Sequence, residues 1–415
     1  MKQYTAVVLG GGARGRIYAD YSLSHPEALQ IVGLAEPRAE RRLQFQERYG
    51  LTEKQCYSDW QELLAQGRLA DIAIICTLDD QHTAPCLQAL ALGYHVLLEK
   101  PMSNSEAECR QIAAAAQKFK RALVICHVLR YTPFYRSIKK LIDEGEIGAV
   151  ASLSQIENVG YWHQAHSFVR GNWRSSAETS PMILQKSCHD MDILIWLSGQ
   201  RVLRVASFGS LRAFRPENAP AGATPRCTDP CPHAETCVYA AQKIYLNGRQ
   251  GWPNDMLSSD LSHEGMMKAL QEGPYGRCVY YCDNDVVDRQ VVSMELDAGA
   301  VASFTMTAFT TDMARQLKIT GTKGQITADM NTNEVYLHRF SDAEAQKIPV
   351  EQVQVSNNYG HGGGDYFLMK EFLEHLEKGS DEQLSTAQAS LQSHLVCFAA
   401  ERSRLSHSVE EIQSF

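Results

Sequence analysis

A buried strand that runs straight into a glycine-spaced turn and a helix leaves a chain few folds to choose from. Thr5-Ala6-Val7-Val8-Leu9 is continuously apolar or β-branched, the texture of a strand covered on both faces. Gly10-Gly11-Gly12-Ala13-Arg14-Gly15 follows at once, and Gly10, Gly12 and Gly15 fit G-x-G-x-x-G. In that pattern the first glycine makes the tight turn and the second lets backbone approach a pyrophosphate. The third lets the helix pack on the strand, and the free N–H groups of the helix start, at Arg14, face the phosphates. A second strand, Gln30 to Ala35, ends in Glu36, about 20 residues on, where a carboxylate binds ribose hydroxyls. Glu36 favours NAD, because a carboxylate repels a 2′-phosphate. Arg38 stands two residues on and keeps NADP open, unless it is only a solvated charge at a helix start.

The same texture recurs along the first third of the chain. Asp71 to Thr77 reads as another buried strand, with Thr77 and His82 at its carboxyl end, near the nicotinamide or its phosphates. His82 reads equally well as a surface residue at a helix start. Val96-Leu97-Leu98-Glu99-Lys100-Pro101 is an apolar run ending in a carboxylate, an amine and a proline. It predicts a strand that delivers Lys100, behind Glu99, into the crevice outside the sheet's carboxyl edge. Ser103 and Glu106 then read as a capping box. With a last strand over Leu123 to Leu129, the alternation predicts an α/β fold, a doubly wound parallel sheet over residues 1–130.

From residue 131 to 415 the texture changes. Thr132 to Asp143 reads as a helix. Ala151 to Glu157, Arg204 to Leu211, Val286 to Leu296, Val301 to Ala308 and Gln316 to Thr320 read as strands of an open, mainly antiparallel sheet. Ser180 to Leu197 reads as one helix, and Tyr366 to Leu376 and Leu384 to Ser403 as two late ones. Residues 215–285 form an insertion with little periodic core.

A net charge of -8 gives no nucleic-acid footprint. No apolar run reaches the ~18 residues of a membrane span. The N-terminus runs directly into a strand, leaving no room for a signal peptide, so a cytoplasmic protein is expected. The twelve cysteines then belong to a reducing compartment. Most are scattered and read as small buried hydrophobes. Cys227, Cys231, Cys237, Cys278 and Cys282 fall in two clusters. The first four, at short loop spacings, suit a structural zinc; free thiols or disulfides in a loop are the alternative.

The glycine motif, Glu99-Lys100-Pro101 and a histidine on a helix of the second domain, His189, together resemble the glucose–fructose oxidoreductase/inositol dehydrogenase/MocA (Gfo/Idh/MocA) family. The resemblance implies a Rossmann domain, an α/β domain with an open antiparallel sheet, and nicotinamide-dependent redox chemistry at a sugar or cyclitol carbon. It assigns the catalytic lysine to Lys100 and the catalytic histidine to His189. One position departs: the family often has Asp-x-x-x-His, and Gln185 stands at the aspartate here. Lys186 lies one helical turn before His189, so both are expected to face one ligand. Arg170 to Arg174 and His361-Gly362-Gly363-Gly364-Asp365 look like features of a subgroup.

Removing hydride from a carbinol requires a base for the hydroxyl proton, and His189 has the right unperturbed range. Lys100 would stabilise a developing alkoxide. Asp192, on the face of His189, is expected to accept bonds from a polyol. Trp173 and His163, with Trp162 and His166, are expected to line a sugar pocket; packing under a long loop is their alternative. Two other functions fit the same residues. One is a glycoside hydrolase that retains NAD through transient oxidation, elimination and re-reduction. The other is a non-catalytic dinucleotide sensor, against which Lys100 and His189 argue. A homo-oligomer, dimer or tetramer, assembled through the open sheet is expected.

Overall fold

The computed structural model describes residues 2–352, 360–379 and 384–413. The first sheet holds β1 (Tyr4–Leu9), β2 (Leu29–Ala35), β3 (Cys56–Tyr57), β4 (Ile72–Ile75), β5 (His95–Leu98) and β6 (Leu123–Ile125), all parallel, in the order β3-β2-β1-β4-β5-β6. The order reverses beside β1, and the crevice beyond the carboxyl ends of β1 and β4 is the place where such sheets bind ligands. Residues of β4 are buried throughout, as a strand covered on both faces must be.

Helices from the far end of the chain return to cover this sheet. Leu368, Met369, Phe372 and Leu373 of the helix Gly364–Lys378 join the cluster of Tyr4, Ala6 and Val8. Leu391 and Leu395 of the helix Ala387–Ser406 join Val96 and Leu98 on the other face.

The second sheet adds β7 (Val150–Asn158), β8 (Val202–Ser210), β9 (Arg289–Leu296), β10 (Val301–Thr307), β11 (Ala314–Gly321), β12 (Gly324–Asp329), β13 (Glu334–Arg339), β14 (Gln346–Ile348) and β15 (Glu410–Glu411). Its order is β14-β13-β12-β11-β7-β10-β9-β8-β15. Only β7 and β10 pair in parallel among these strands; the other neighbours are antiparallel. Burial alternates along β7, so Leu153, Gln155 and Glu157 point toward the helices while Ser154 and Ile156 face outward. Among the described residues no helix is long and apolar enough to cross a membrane.

Four local expectations are corrected. The helix expected over 180–197 is two, Met182–Gln185 and Cys188–Ser198, because the Gln185 carbonyl is taken by Lys100 instead of continuing the helical ladder. Ser103 and Glu106 form no capping box: Ser105 precedes the helix, and the Ser103 hydroxyl donates to Glu108 at 2.5 Å. The strand expected to reach Leu129 stops at Ile125, and Val128–Tyr131 is a 3-10 turn. The insertion has its own small core, built from Phe214, Ala241, Tyr245, Met266, Leu270 and Tyr275 with Val169. Arg170, fully buried, staples it by donating to the carbonyls of Arg277 and Tyr239, each at 2.7 Å.

Asp192 lies at 1% exposure and Arg130 at 4%. The Arg130 guanidinium grips both Asp192 oxygens, Nε to Oδ2 at 2.6 Å and Nη2 to Oδ1 at 2.5 Å. This fixes the helix of His189 against the turn that follows β6. Removing the carboxylate leaves a buried guanidinium uncompensated, typically a loss of about 3–5 kcal/mol. Asp192→Asn should therefore lower the unfolding free energy measured by urea titration by an amount in that range; an unchanged value would show the pair to be dispensable.

Candidate active site

The dinucleotide end is built by close approach. Gly10 has φ +98°, and a Cβ there would lie 2.4 Å from the Cys76 carbonyl oxygen. At Gly15 a Cβ would lie 2.1 Å from the Gly10 carbonyl oxygen, so the helix can seat on β1 only as glycine. Gly12 is different: an added Cβ would meet nothing nearer than Arg41 Nη1 at 3.7 Å, leaving open space above the turn. Glu36 follows β2 and is nearly buried; its carboxylate accepts from the Gly11 N–H at 2.8 Å and the Arg38 N–H at 3.0 Å. The turn, the open space over Gly12 and the acid at the end of β2 fit a dinucleotide. NAD, when bound, supplies the hydride acceptor.

The side chains of Arg14 and Glu99 are tied to each other. The Arg14 guanidinium donates to Glu99 Oε1 at 2.6 Å, to Asp365 Oδ1 at 2.5 Å and to the Tyr18 hydroxyl. Tyr18 in turn donates to Glu99 Oε1 at 2.8 Å, and Glu99 Oε2 accepts the Lys100 N–H at 2.7 Å. Burial pushes the Glu99 carboxyl up, but Arg14 and Lys100 more than offset it and hold the group below its ordinary range. Both side chains are thus committed within the protein. They position Lys100 and join the glycine turn to the helix of Asp365.

Lys100 Nζ donates to the Gln185 carbonyl oxygen at 2.6 Å, crossing from the sheet of the first domain to the helices of the second. His189 is buried in the first turn of the helix Cys188–Ser198. Burial, and then the charges of Lys100, His127, His361 and Arg315, hold its pKa well below 6.5, so the imidazole is neutral at pH 7. Lys186 lies on the break between the two helices, not one turn below His189 on the same helix. Its ammonium pairs with Glu157 on β7 at 3.1 Å, and Glu157 with Asp190 also meets Arg315, at 2.8 and 2.7 Å.

Other expected positions divide. Asp192 is consumed by Arg130 and is a structural residue rather than a substrate ligand. His82 is buried, its Nδ1 2.7 Å from the Pro101 carbonyl oxygen and its Nε2 3.1 Å from that of Thr77, so it braces two site segments instead of facing a cofactor. Thr77 is half-buried and donates to the Gln81 carbonyl. His163 is half-buried with an unpartnered Nδ1, in a ring cluster with Trp252 and Phe168. His166 instead belongs to the insertion core, stacked on Tyr275. Trp173 is half-buried, its indole N–H beside Asp79.

Asp79 was not among the expected site residues, and His361 was expected only as part of a subgroup feature. Asp79, just past β4, accepts from Ser180 at 2.9 Å and stands in the field of Lys100. A carboxylate four residues past a strand's carboxyl end was the available signal. His361 packs 5.9 Å, ring to ring, from His189.

The zinc expectation is not supported. Cys227, Cys231, Cys237 and Cys278 do line one small cavity with His233. Yet among the described residues no three His, Cys, Asp or Glu side chains are grouped to hold a metal ion. The thiols face protein groups instead: Cys227 lies 3.6 Å from the Arg170 guanidinium, and Cys282 donates to the Cys278 carbonyl.

Two tests follow from this geometry. Calorimetric titration should show tighter binding of NAD than of NADP, through Glu36; equal or reversed affinities would pass the site to Arg38. The second concerns acid. Burial holds His127 and His189 well below 6.5 and His394 down to about 3, so the folded chain stays neutral there while the unfolded chain takes up protons as pH falls through 6.5. Folded pKa values below unfolded ones mean stability is lost on acidification, by up to ~1.4 kcal/mol per pH unit for each histidine. Urea midpoints at pH 7.5 and 5.5 should differ in that direction; equal midpoints would mean these rings are protonated in the fold.

Residues 4–127 match an oxidoreductase family's NAD-binding Rossmann fold, and residues 139–410 match that family's C-terminal alpha/beta domain. YteT of Bacillus subtilis (strain 168) is 26% identical over 312 residues, covering 73% of this chain and 72% of YteT. The inositol 2-dehydrogenase of Klebsiella pneumoniae (strain 342) is 27% identical over 191 residues, and the match spans 46% of this chain and 53% of that enzyme, about half its length. An oxidoreductase domain protein from Kribbella flavida has the same fold, with a TM-score of 0.74 at 19% identity over 100% of both chains. So does levoglucosan dehydrogenase in complex with NADH and L-sorbose, with a TM-score of 0.74 at 17% identity over 100% of both chains. Glycine turn, Glu99-Lys100-Pro101 and two-sheet architecture therefore have one account: the chain belongs to the Gfo/Idh/MocA family of oxidoreductases, with its NAD-binding Rossmann domain first and its alpha/beta domain second.

Proposed function

We propose that this protein transfers a hydride between NAD and a hydroxyl-bearing carbon of a sugar, cyclitol or glycoside. The observation that carries the reading is the reach of Lys100. It leaves β5 at the ligand-binding edge of the dinucleotide domain, and its ammonium meets the residue four positions before His189. An ammonium there stabilises negative charge on the reacting oxygen, and a neutral His189 can accept a hydrogen bond from a hydroxyl. Half-buried Trp162, His163 and Trp173 offer apolar faces for the C–H side of a polyol ring. Inositol 2-dehydrogenase and levoglucosan dehydrogenase, by their names, act on molecules of this class.

Two features support further parts of the reading. All twelve cysteines are free thiols, which suits the cytoplasm. Strand register sets Phe208, Val291, Thr305 and Ile156 side by side on the outer face of β8, β9, β10 and β7, where Phe208 is 68% exposed. A second copy of the chain covering this row would make a dimer.

The test is a panel of free sugars, cyclitols and aryl glycosides, followed by NADH absorbance and aglycone release in parallel. NADH formation on a polyol supports the reading. Aglycone release without net NADH would replace it with a redox-neutral hydrolase, and silence in both assays with NAD bound would favour a sensor. On the best substrate, Lys100→Met should lower kcat by at least ~10²–10³, the usual effect of removing one such donor, with NAD affinity retained. A loss below tenfold in a folded variant would make Lys100 scaffolding.

A further inference from the structure

Dehydrogenation of a carbinol needs a base, and His189 is poorly placed to be it. Its Nδ1 is buried without a partner, so no carboxylate orients the ring. Lys100, His127, His361 and Arg315 surround it, all opposing a positive charge on the ring. Gln185, at the position where the family often has an aspartate, has its carbonyl held by Lys100.

The neighbouring ring is differently equipped. His361 sits in a turn in which it, Gly362 and Gly363 have φ of 52°, 62° and 88°. His361 is the one non-glycine residue of the three, and a side chain in that region is held by its surroundings, a situation concentrated at functional sites. The turn is seated hard against the first domain's end: a Cβ on Gly364 would lie 2.3 Å from the Val128 carbonyl oxygen. His361 Nδ1 is 3.1 Å from Asp365 Oδ2. Asp365 is completely buried, and its other oxygen is held by Arg14 at 2.5 Å. Burial pushes this carboxyl up, but Arg14 and His361 hold it far below its usual range, so it stays ionised. With a proton on Nδ1 shared with Asp365, Nε2 is left as an acceptor. The His361 side chain is 37% exposed, against 5% exposure for His189.

We propose that His361, oriented by Asp365, is the base that takes the substrate's hydroxyl proton; this rests on the dehydrogenase reading above. The hydroxyl O–H bond breaks and its proton passes to His361 Nε2. The oxygen electrons form the carbonyl double bond, and the C–H electron pair leaves with its hydrogen as hydride to the nicotinamide. Lys100 carries the charge on the oxygen, and Asp365 the charge on the imidazolium. His361 then returns its proton to water at its exposed side. Burial disfavours the imidazolium most and holds the His361 ring below its ordinary range; Asp365 favours the imidazolium, Arg14 and Lys186 disfavour it, and His189 is neutral; Arg130, on the adjacent turn, is taken by Asp192. His189 becomes a hydrogen-bonding residue of the pocket rather than its base.

The experiment uses the full chain, NAD and the best substrate of the panel. Wild-type kcat/KM should fall on the acid side as the base protonates. His361→Ala leaves the Arg14–Asp365 pair in place; it should lower kcat by about 10²–10⁴, abolish the acid limb and recover partly with added imidazole. Asp365→Asn should move the limb to lower pH, because the anion that favours the imidazolium is gone. His189→Ala should keep the limb. The proposal is overturned if His361→Ala keeps the limb with kcat within tenfold, or if the limb disappears in His189→Ala instead. Nitrogen NMR of histidine-labelled protein reads the dyad without turnover, and should find the Nδ1–H tautomer at His361. An Nε2–H tautomer in a wild type that oxidises polyols would overturn the base assignment alone. A wild type that oxidises nothing in the panel would remove the dehydrogenase reading and this proposal with it.

Discussion

The hydrogen bond from the Lys100 ammonium to the Gln185 carbonyl is the contact on which the arrangement of the site depends. An ammonium at the end of a buried strand needs an acceptor, and a helical carbonyl is available only if the helix gives it up. The chain does give it up. One helix ends at Gln185 and another starts at Cys188: the Lys186 N–H still closes the first on the Met182 carbonyl, and the Ser187 carbonyl opens the second by accepting from Met191. That break turns Lys186 toward Glu157 on β7 and starts a new helix whose first turn carries His189. One donor–acceptor pair thereby connects the two domains and sets the direction of two site side chains.

Around that contact the buried charges are matched in sets that cross between elements. Arg14 joins Glu99 to Asp365, Arg130 holds Asp192, and Arg315 with Lys186 meets Asp190 and Glu157. Arginine suits these positions because its fork can satisfy two carboxylate oxygens, or two carboxylates, at once. Such pairs are weak evidence of net stability, since desolvation consumes most of the attraction. Their effect is on geometry and on protonation. Burial and the positive charges nearby keep His127 and His189 neutral, while Asp365 stays ionised beside His361. Burial holds both imidazoles, 5.9 Å apart, below their ordinary range, but a carboxylate orients one and none orients the other.

Most of the first domain was legible because its signals are local. Apolar runs mark strands buried on both faces, and glycines stand where a Cβ would strike backbone, as at Gly10 and Gly15. The second domain was legible where alternation was long, as in β7 and β10, and illegible where strands were short, as in β12 to β14. The break at Lys186 could not be read, because the periodicity of Met182, Leu184, Cys188 and Met191 continues across it. Cysteine spacing was misleading in the insertion, where arginine and backbone groups meet the thiols.

Sequence by itself determined the two-domain class, the dinucleotide crevice and the arrival of Lys100 at its edge. Each of these follows from residues close together in the chain: a strand, a turn that only glycine can make, an apolar run that ends in charge. Tertiary structure decided which charged groups remain available to a ligand. Arg14, Glu99, His82 and Asp192 looked available, and each is claimed by a partner in the fold: Arg14 and Glu99 by each other, His82 by Pro101, Asp192 by Arg130. His361 looked like part of a glycine-rich loop and stands beside His189 on a buried carboxylate. The reason is physical. A buried charge must find an opposite charge or a set of dipoles, and its partner is chosen by proximity in space among groups tens or hundreds of residues apart.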